Sequence, residues 1–546
     1  MQIGRINLAA MLSSKTTPKQ DSLPANPRAA LLTASACCAL IVLDTNIVAV
    51  ALPAIATDLS ATFVDIEWVV SAYMLAFAAG LLSGGALADR YGRRRMLLVG
   101  LALFVAASLG CGLAQTALQL NVARAAKGVG AALLLPAALA SIAHAFHEEA
   151  ARARAWAFWG ACMGVAMMIA PALGGAISQG LGWRCVFLLN LPVGAVLAWS
   201  VWRHVAPSRD PGTARLDLWG SLCFCASLFL LIWALIDANQ LGWSHAATWG
   251  RLLGSAALLA LFVLVERLQQ RPMVDLALLR IPRLRGALLA MAAYAGCAQV
   301  MMTLMPFYLQ ISLDFPGLRA GLGMLPFAVT LLLFPRVGVS LSRRLSPGAM
   351  LATGLALVGT GNLLAAWAAW TGGYLPFALA MAVTGSGAGL LNGDTQKNIM
   401  ACIPRERAGM ASGMSTTTRF TAIVLAFALL SALLAHQAEV RLSRELGVTA
   451  QADALAGRIV ARLAGGDLAG AMQEAPAGQQ AVLAPLARQA YAQGFAWALL
   501  AAGIAAWLAA WRVRSLMRHP LPVAPTPSGA GPSPTKRSPT PGSVTM

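Results

Sequence analysis

The feature of this 546-residue chain that most restricts its fold is a series of long apolar runs. Most of the runs are close to the roughly 20 residues that a helix needs to cross a bilayer. Helices satisfy every backbone hydrogen bond inside the membrane, where no water is available. We therefore predict an all-α integral membrane protein with 14 transmembrane helices near residues 30–53, 68–88, 96–114, 118–140, 155–178, 185–203, 217–236, 248–266, 286–310, 320–341, 348–370, 373–395, 409–435 and 491–512.

The distribution of charge predicts how these helices are oriented across the membrane. Lys and Arg exceed Asp and Glu by 40 to 21, and such a surplus is also found in proteins that bind nucleic acids. The positions argue against nucleic acid as a partner, because 20 of the basic residues lie in the short loops of one side and two in those of the other. Basic loops stay in the cytoplasm, so we predict that both termini are cytoplasmic.

A loop between the second and third runs carries one acid and four arginines, which cannot stay in hydrocarbon. It could serve as a topology anchor alone. Its pattern, however, resembles the loop between helices 2 and 3 of the major facilitator superfamily of secondary transporters. By that resemblance it is a gating loop whose acid bridges the two halves of the transporter near residues 407–410. The loop residues concerned are Gly85, Asp89, Arg90, Gly92, Arg93 and Arg94.

Asp44 lies inside the first apolar run. A carboxyl group at membrane depth is costly and is a functional candidate by default, although a structural ion pair is the alternative. The surrounding residues, Leu43 to Pro53, resemble the first-helix signature of the fourteen-helix drug:proton antiporters, which implies that Asp44 couples transport to protons. Asn46 and Ala49 depart from that signature.

Arg124 and Lys127 stand three residues apart in the fourth run and so share one helix face. The stretch resembles the superfamily's helix 4 motif, with Lys127 in place of the usual Gln. A lone ammonium group at that depth needs an acid. Asp44 is the acid that the sequence offers well inside the first half of the membrane bundle, so we predict that it lies near Arg124, Lys127 or both, across a cavity.

The fifth run combines small residues with a proline, a pattern that permits close helix packing. Close packing alone would explain the glycines. The run also resembles the antiporter motif that accompanies exporters in this superfamily, with Ala170 in place of a Gly, and the residues Trp183 to Gly194 resemble the same fourteen-helix family. The motif residues are Gly164, Pro171, Gly174 and Gly175.

The resemblance implies a major facilitator fold with a 6+2+6 arrangement of helices. Residues 436–490 form a long outer loop, partly helical and amphipathic, which is either a lid or a passive insert. The C-terminal tail is rich in Pro, Ser and Thr and is expected to be disordered. The predicted units are a cytoplasmic segment 1–28, a six-helix half 29–204, two extra helices 205–284, a second six-helix half 285–518 and the tail 519–546.

The implied function is proton-coupled export of amphipathic small molecules or drugs from the inner (cytoplasmic) membrane. The alternatives are an exporter dedicated to one metabolite, antibiotic or siderophore, and a non-transporting membrane sensor. No nucleophile elbow, phosphate loop or metal-ligand spacing appears, so we expect neither an enzyme nor a cofactor or metal. The expected partners are the substrate, protons and lipid; a periplasmic adaptor and an outer-membrane channel stay open.

Overall fold

The computed structural model describes residues 26–518 except 147, 209–217, 242–244, 270–277, 404–407, 448–449, 465, 467 and 477. The predicted N-terminal segment before residue 26 and the tail from 519 lie outside the described residues. Within the described ranges the chain forms helices joined by short connections, and no strand occurs among them. This confirms the all-α prediction.

The first half of the described chain contains seven helices. Their bounds are α1 Pro27–Asp58, α2 Phe63–Tyr91, α3 Arg93–Gly112, α4 Ala117–Ala145, α5 Glu149–Gly180, α6 Trp183–Leu188 and α7 Asn190–His204. Two further helices follow, α8 Leu218–Leu241 and α9 Ala246–Leu268. The helices α6 and α7 together occupy the sixth predicted run.

The second half begins after a short 3-10 turn, Leu278–Arg280. A single turn of π-helix, Ala295–Gln299, separates its first two helices. The helices are α10 Pro282–Tyr294, α11 Val300–Ile311, α12 Gly317–Gly323, α13 Leu325–Leu341, α14 Pro347–Thr371, α15 Tyr374–Ala401, α16 Ala408–Leu446, α17 Ala450–Ala464, α18 Leu468–Gln473 and α19 Gln480–Leu516.

The described residues contain 13 helical segments that are long and apolar enough to cross a membrane. The seventh predicted run corresponds to a shorter apolar segment, Leu222–Leu235, inside α8. An apolar helix therefore stands at each of the fourteen predicted positions.

Local sequence sets where the first helices begin and end. The side chain of Asn26 accepts hydrogen bonds from the first turn of α1, which starts at Pro27, three residues before the first predicted run. Thr62 and Asp65 form a capping box at the start of α2. Gly92 has a φ of +106°, which glycine adopts without strain, and it divides α2 from α3. The predicted tight hairpin between the second and third spans is thus confirmed.

The connection from α1 to α2, residues 59–62, marks the end of the bundle that the charge pattern predicts to lie outside; we call it the outer end. The two halves contact each other there through backbone. A Cβ atom at Gly175 would lie 2.3 Å from the carbonyl oxygen of Gly317, and one at Gly321 would lie 2.2 Å from that of Pro171. The amide nitrogen of Gln310 donates to the carbonyl oxygen of Val50, at 3.3 Å. The halves are therefore in direct contact at the outer end.

The predicted outer loop 436–490 is more helical than expected. The helix α16 continues to Leu446, α19 starts already at Gln480, and α17 and α18 fill most of the interval. Abundant Ala, Leu, Gln and Arg in this stretch favour helix. A Cβ atom at Gly466 would approach Pro53 at 2.8 Å and Phe307 at 3.0 Å, so this segment rests on both halves at the outer end.

Candidate functional site

The candidate site is centred on Asp44, near the middle of α1. Its side chain is 0% exposed. Helix α1 is apolar on every side, and it packs against α4, α5 and α7. A carboxyl group in these surroundings must find its polar partners within the protein.

Three donors from two other helices meet the Asp44 carboxylate. Lys127 Nζ lies 2.5 Å from Oδ1, and Arg124 Nη1 lies 3.3 Å from Oδ2. Asn190 Nδ2 donates to Oδ1 at 2.9 Å. The predicted proximity of Asp44 to both cations is confirmed, but the groups are bonded directly rather than separated by a cavity.

Further contacts orient the two cations. The Nε atom of Arg124 donates to the carbonyl oxygen of Val69 at 2.8 Å, and its guanidinium carbon lies 4.2 Å from the centre of the Tyr73 ring. The ammonium of Lys127 lies 4.7 Å from the ring centre of Phe104 and 5.0 Å from that of Phe187. Aromatic faces stabilise cations where water is excluded. The cluster is therefore held on all sides by the first half alone.

The charges of this cluster do not cancel. One carboxylate faces two cations, and Arg124 and Lys127 are 1% and 0% exposed. Ionised groups in an apolar interior are costly unless they are paired. Loss of the single negative charge would leave both cations uncompensated, so the state of Asp44 controls the electrostatics of the whole cluster.

Asn190 is the partner of Asp44 that charge alone could not reveal. The sequence showed it only as part of the stretch from Trp183 to Gly194. In the structure α7 begins at this residue, and the side chain is 1% exposed. A buried amide on a short apolar helix is a weak signal in a single sequence, because buried Asn residues more often complete local packing.

The gating loop is described in part. The backbone nitrogen of Arg93 donates to the carbonyl oxygen of Ser208 at 2.9 Å, which ties the loop to the chain after α7. Arg94 lies 6.0 Å from the ring centre of Trp202, and Arg90 lies 5.6 Å from that of Tyr91. The side chain of Asp89 and residues 404–407 lie outside the described part, so the expected bridge between the halves stays a prediction.

The motif of the fifth run lies at helix contacts. A Cβ atom at Gly174 would lie 2.6 Å from the carbonyl oxygen of Ile47 on α1, three residues from Asp44. One at Gly164 would lie 2.6 Å from the Leu332 side chain on α13, in the other half. Together with Gly175 and Pro171 at the outer contact, these residues place α5 between the Asp44 cluster and the second half.

The second half carries a cation of its own, Arg419 on α16. Its Nε atom donates to Gln299 Oε1 at 2.8 Å, at the end of the π-helical turn. The Tyr294 hydroxyl at the other end of that turn donates to Asn392 Oδ1 at 3.1 Å. Among the described residues no acid forms an ion pair with Arg419. The same residues contain no cluster of three or more His, Cys, Asp or Glu side chains suited to a metal ion.

Comparison with known families agrees with this architecture. The sequence model of the Major Facilitator Superfamily matches residues 34–427, which is most of the chain. The chain belongs to the major facilitator superfamily. It is thus a multi-pass membrane protein of a transporter family, as the gating loop and the first-helix signature predicted.

Curated relatives resemble the chain over most of its length. It is 34% identical to the multidrug resistance protein Stp of Mycobacterium tuberculosis over 397 residues, 72% of this chain and 74% of the relative. It is 36% identical to the cephamycin export protein CmcT of Amycolatopsis lactamdurans, over 70% of this chain and 79% of that protein. The methylenomycin A resistance protein of Streptomyces coelicolor is 30% identical, over 69% and 79%.

Solved structures of the superfamily share the fold. A bacterial homologue of the human lysosomal transporter Spinster, inward-facing and occupied, aligns with a TM-score of 0.59 at 15% identity and covers 90% of this chain and 96% of its own. A peptide transporter POT in complex with sulfate aligns with a TM-score of 0.58 at 15% identity, over 90% and 96%. At this identity the likeness shows the fold alone.

Proposed function

We propose that this chain is a proton-coupled exporter of amphipathic small molecules in the cytoplasmic membrane, with Asp44 as the residue that binds the proton. The observation that carries the proposal is the Asp44 cluster, in which one fully buried carboxylate pairs with two buried cations. The relatives named for multidrug resistance and for antibiotic export support export as the direction of transport.

The cluster supplies two states with different electrostatics. With Asp44 ionised, its bonds to Lys127 and Arg124 hold α1 against α4. Protonation removes the attraction and leaves two cations that repel each other and favour contact with water. Because α1 also contacts the second half through Val50 and Gln310, a movement of α1 alters the contact between the halves.

Antiport follows if proton and substrate favour different arrangements of the halves. A ligand shifts an equilibrium only by its differential affinity for the two states. In the proposed cycle protonation of Asp44 from outside accompanies release of substrate, and release of the proton inside restores the ion pairs and readies the cavity for the next substrate molecule.

A dedicated exporter of one metabolite or antibiotic is the second candidate. The buried positive charges of the protein favour an anionic or neutral compound as its substrate. The Asp44 cluster keeps one uncompensated positive charge, and Arg419 adds a second cation in the other half without an acid partner in the described part. Positive charge in the interior disfavours cationic drugs. A compound panel should therefore contain anionic, neutral and cationic members.

The test is uptake of this panel into inverted membrane vesicles under an imposed pH gradient. We expect uptake by the wild-type protein and its loss in Asp44→Asn. That variant leaves two buried cations without their anion, and breaking a buried ion pair commonly costs about 3–5 kcal/mol. Its insertion and thermal stability must therefore be measured in the same preparation.

The double variant Asp44→Asn/Lys127→Gln separates proton binding from charge balance. It removes one anion and one cation, so the cluster keeps the net charge of the wild type. We expect it to be more stable than Asp44→Asn and still unable to use the pH gradient, while Lys127→Gln alone retains transport. Wild-type uptake by the double variant would refute the proton role of Asp44, and the absence of uptake of any compound by the wild type would favour the membrane sensor.

A further inference from the structure

A second acid, Glu67, is buried near the outer end outside the Asp44 cluster. It lies on the second turn of α2, and its side chain is 0% exposed. In the described part of the chain neither of its carboxyl oxygens forms a hydrogen bond of normal geometry, although the hydroxyl of Ser431 is near enough to interact with the carboxyl group. Glu67 is not a candidate from the sequence alone, because it stands one residue before the second predicted apolar run, which begins at Trp68.

Glu67 faces a small cavity between the two halves of the molecule. Its volume is about 10 Å³, which is room for about one water molecule. The first half contributes Ile66 and Glu67, and the second half contributes the remaining side chains, which are mostly apolar: Leu304, Phe307, Phe427, Ser431, Leu434 and Tyr491. A drug-sized molecule does not fit here, but a proton does.

Polar groups near Glu67 are few. In the cavity wall they are the phenol of Tyr491 and the hydroxyl of Ser431, and the latter lies beside the Glu67 carboxyl group without a hydrogen bond of normal geometry. Charged groups on the surrounding helices interact with other partners. Among the cations, Arg124 pairs with Asp44, Arg419 with Gln299, Arg488 with Asp314, and Arg458 and Arg462 with Glu474, while His436 lies near Glu439. Among the acids, Asp453 bonds to Ser443 and Asp65 belongs to the cap of α2.

This environment favours the neutral, protonated form of the Glu67 carboxyl group. An ionised carboxylate that has no counter-ion and a single hydroxyl group beside it is strongly disfavoured in an apolar cavity. With the halves in contact, Glu67 must therefore carry its proton. When the halves separate at the outer end, water reaches the same carboxyl group and it can ionise.

We propose that Glu67 is a second proton-binding site, loaded from the outer side, and that its protonation is a condition for the two halves to close at the outer end. The proton passes from external water to the carboxylate before closure and returns to water after opening. This inference shares alternating access with the proposed transport function but does not depend on Asp44 or on the identity of the substrate.

The test measures closure itself. Spin labels on Leu118→Cys in the first half and Leu375→Cys in the second report the distance between the outer ends; both leucines are exposed, 72% and 69%. The partly buried native cysteines Cys162, Cys185, Cys225 and Cys402 are replaced by Ala in this background. Electron–electron double resonance then gives the closed and open populations of the full chain in nanodiscs between about pH 5 and pH 9.

We expect the closed population to fall as pH rises, by up to about tenfold per pH unit in the closed-to-open ratio for each proton that is lost. Glu67→Gln, a permanent mimic of the neutral acid, should reduce this slope by one proton and stay closed at high pH. Glu67→Leu, which fills the cavity with apolar atoms, should do the same. Asp65→Asn removes a partly buried acid two residues away and should keep the wild-type slope.

The same titration in an Asp44→Asn background isolates the contribution of Glu67. A pH response that persists there and disappears on adding Glu67→Gln supports the proposal even if Asp44 has no proton role. Equal titrations for the wild type, Glu67→Gln and Glu67→Leu would overturn it. A closed population that follows the sodium concentration at constant pH would also overturn it, because the ligand would then be a metal ion.

Discussion

At Asp44, one carboxylate accepts bonds from a lysine, an arginine and an amide that the chain brings from residues 80 and more positions away. The lysine is the departure from the family pattern, where a glutamine is usual. With it the cluster holds one more cation than anion. If Asp44 binds the transported proton, as we propose, Lys127 opposes that binding because its ammonium group is in direct contact with the carboxylate.

Lys127→Gln should shift the pH dependence of transport to higher pH. Removing a cation that lies 2.5 Å from the carboxylate makes the proton easier to take up and harder to release, so the transport midpoint should rise by about one pH unit or more. The measurement is the pH profile of uptake in vesicles. Transport by Arg184→Gln, which breaks the exposed pair with Asp58 at the outer end, should keep the wild-type midpoint.

Single residues also show where sequence reasoning succeeds. The sequence identified Asp44, Arg124 and Lys127 because each is a charged residue inside a long apolar run. With one acid and two cations, few ion pairs are possible, so their pairing could be predicted. Glu67 was not identified because it adjoins the end of its apolar run, where the sequence does not distinguish a loop residue from a residue of the membrane helix. The hydrogen bond from Asn190 to Asp44 was not predicted because a single sequence does not show which buried amide contacts which acid.

Among the helices, α5 has the most consequential contacts, since backbone meets backbone on both of its sides. Gly174 lies against α1 and Gly175 against α12. At Gly175 all the nearest atoms belong to backbone, so that contact tolerates no added volume; at Gly174 the Ile47 side chain is also close. The motif in the fifth run was predicted from resemblance; that its glycines divide between the two halves required coordinates.

Gly175→Ala should favour states in which the outer ends are apart. Its methyl group would stand 2.3 Å from the carbonyl oxygen of Gly317, so the helices must separate or shift. We expect a larger open population in the spin-label measurement and slower transport. Gly180→Ala on the same helix is the matched control, because nothing lies within 4 Å of its added carbon. Equal distance distributions for the two variants would contradict the idea.

The ends of the helices were the least predictable part of the elements. The runs placed α16 up to residue 435 and α19 from 491, whereas the helices reach Leu446 and begin at Gln480. Hydropathy reports where a helix is buried in lipid and not where it stops. Outside the membrane, helix propensity and contacts such as the ion pair of Arg441 with Glu445 continue it.

For the whole molecule, the order and helical type of the predicted runs followed from hydropathy, because a bilayer permits so few solutions; among the described residues thirteen segments are long enough to span and the seventh run holds a shorter apolar helix. The mutual contacts of the halves did not follow, since pairing between helices in lipid is set by packing shape rather than by an apolar driving force.

The orientation of the molecule is directly testable. Alkaline phosphatase fused after residue 447 should be active and a green fluorescent protein fused after residue 518 should fluoresce, because the first folds outside and the second inside. The two reporters exchanged between the sites should both be inactive. The reverse pattern would invert the molecule and with it the assignment of the gating loop.

The lengths of two helices have a practical consequence. Helix α16 has 39 residues and α19 has 37, about 58 and 55 Å at 1.5 Å per residue. A bilayer with its headgroups is about 40–45 Å thick. Both helices therefore project beyond the lipid, and α17 and α18 pack against their projecting ends. These projecting helix ends give electron cryo-microscopy of this 56.7 kDa protein a rigid landmark for particle alignment and give antibody fragments a folded epitope.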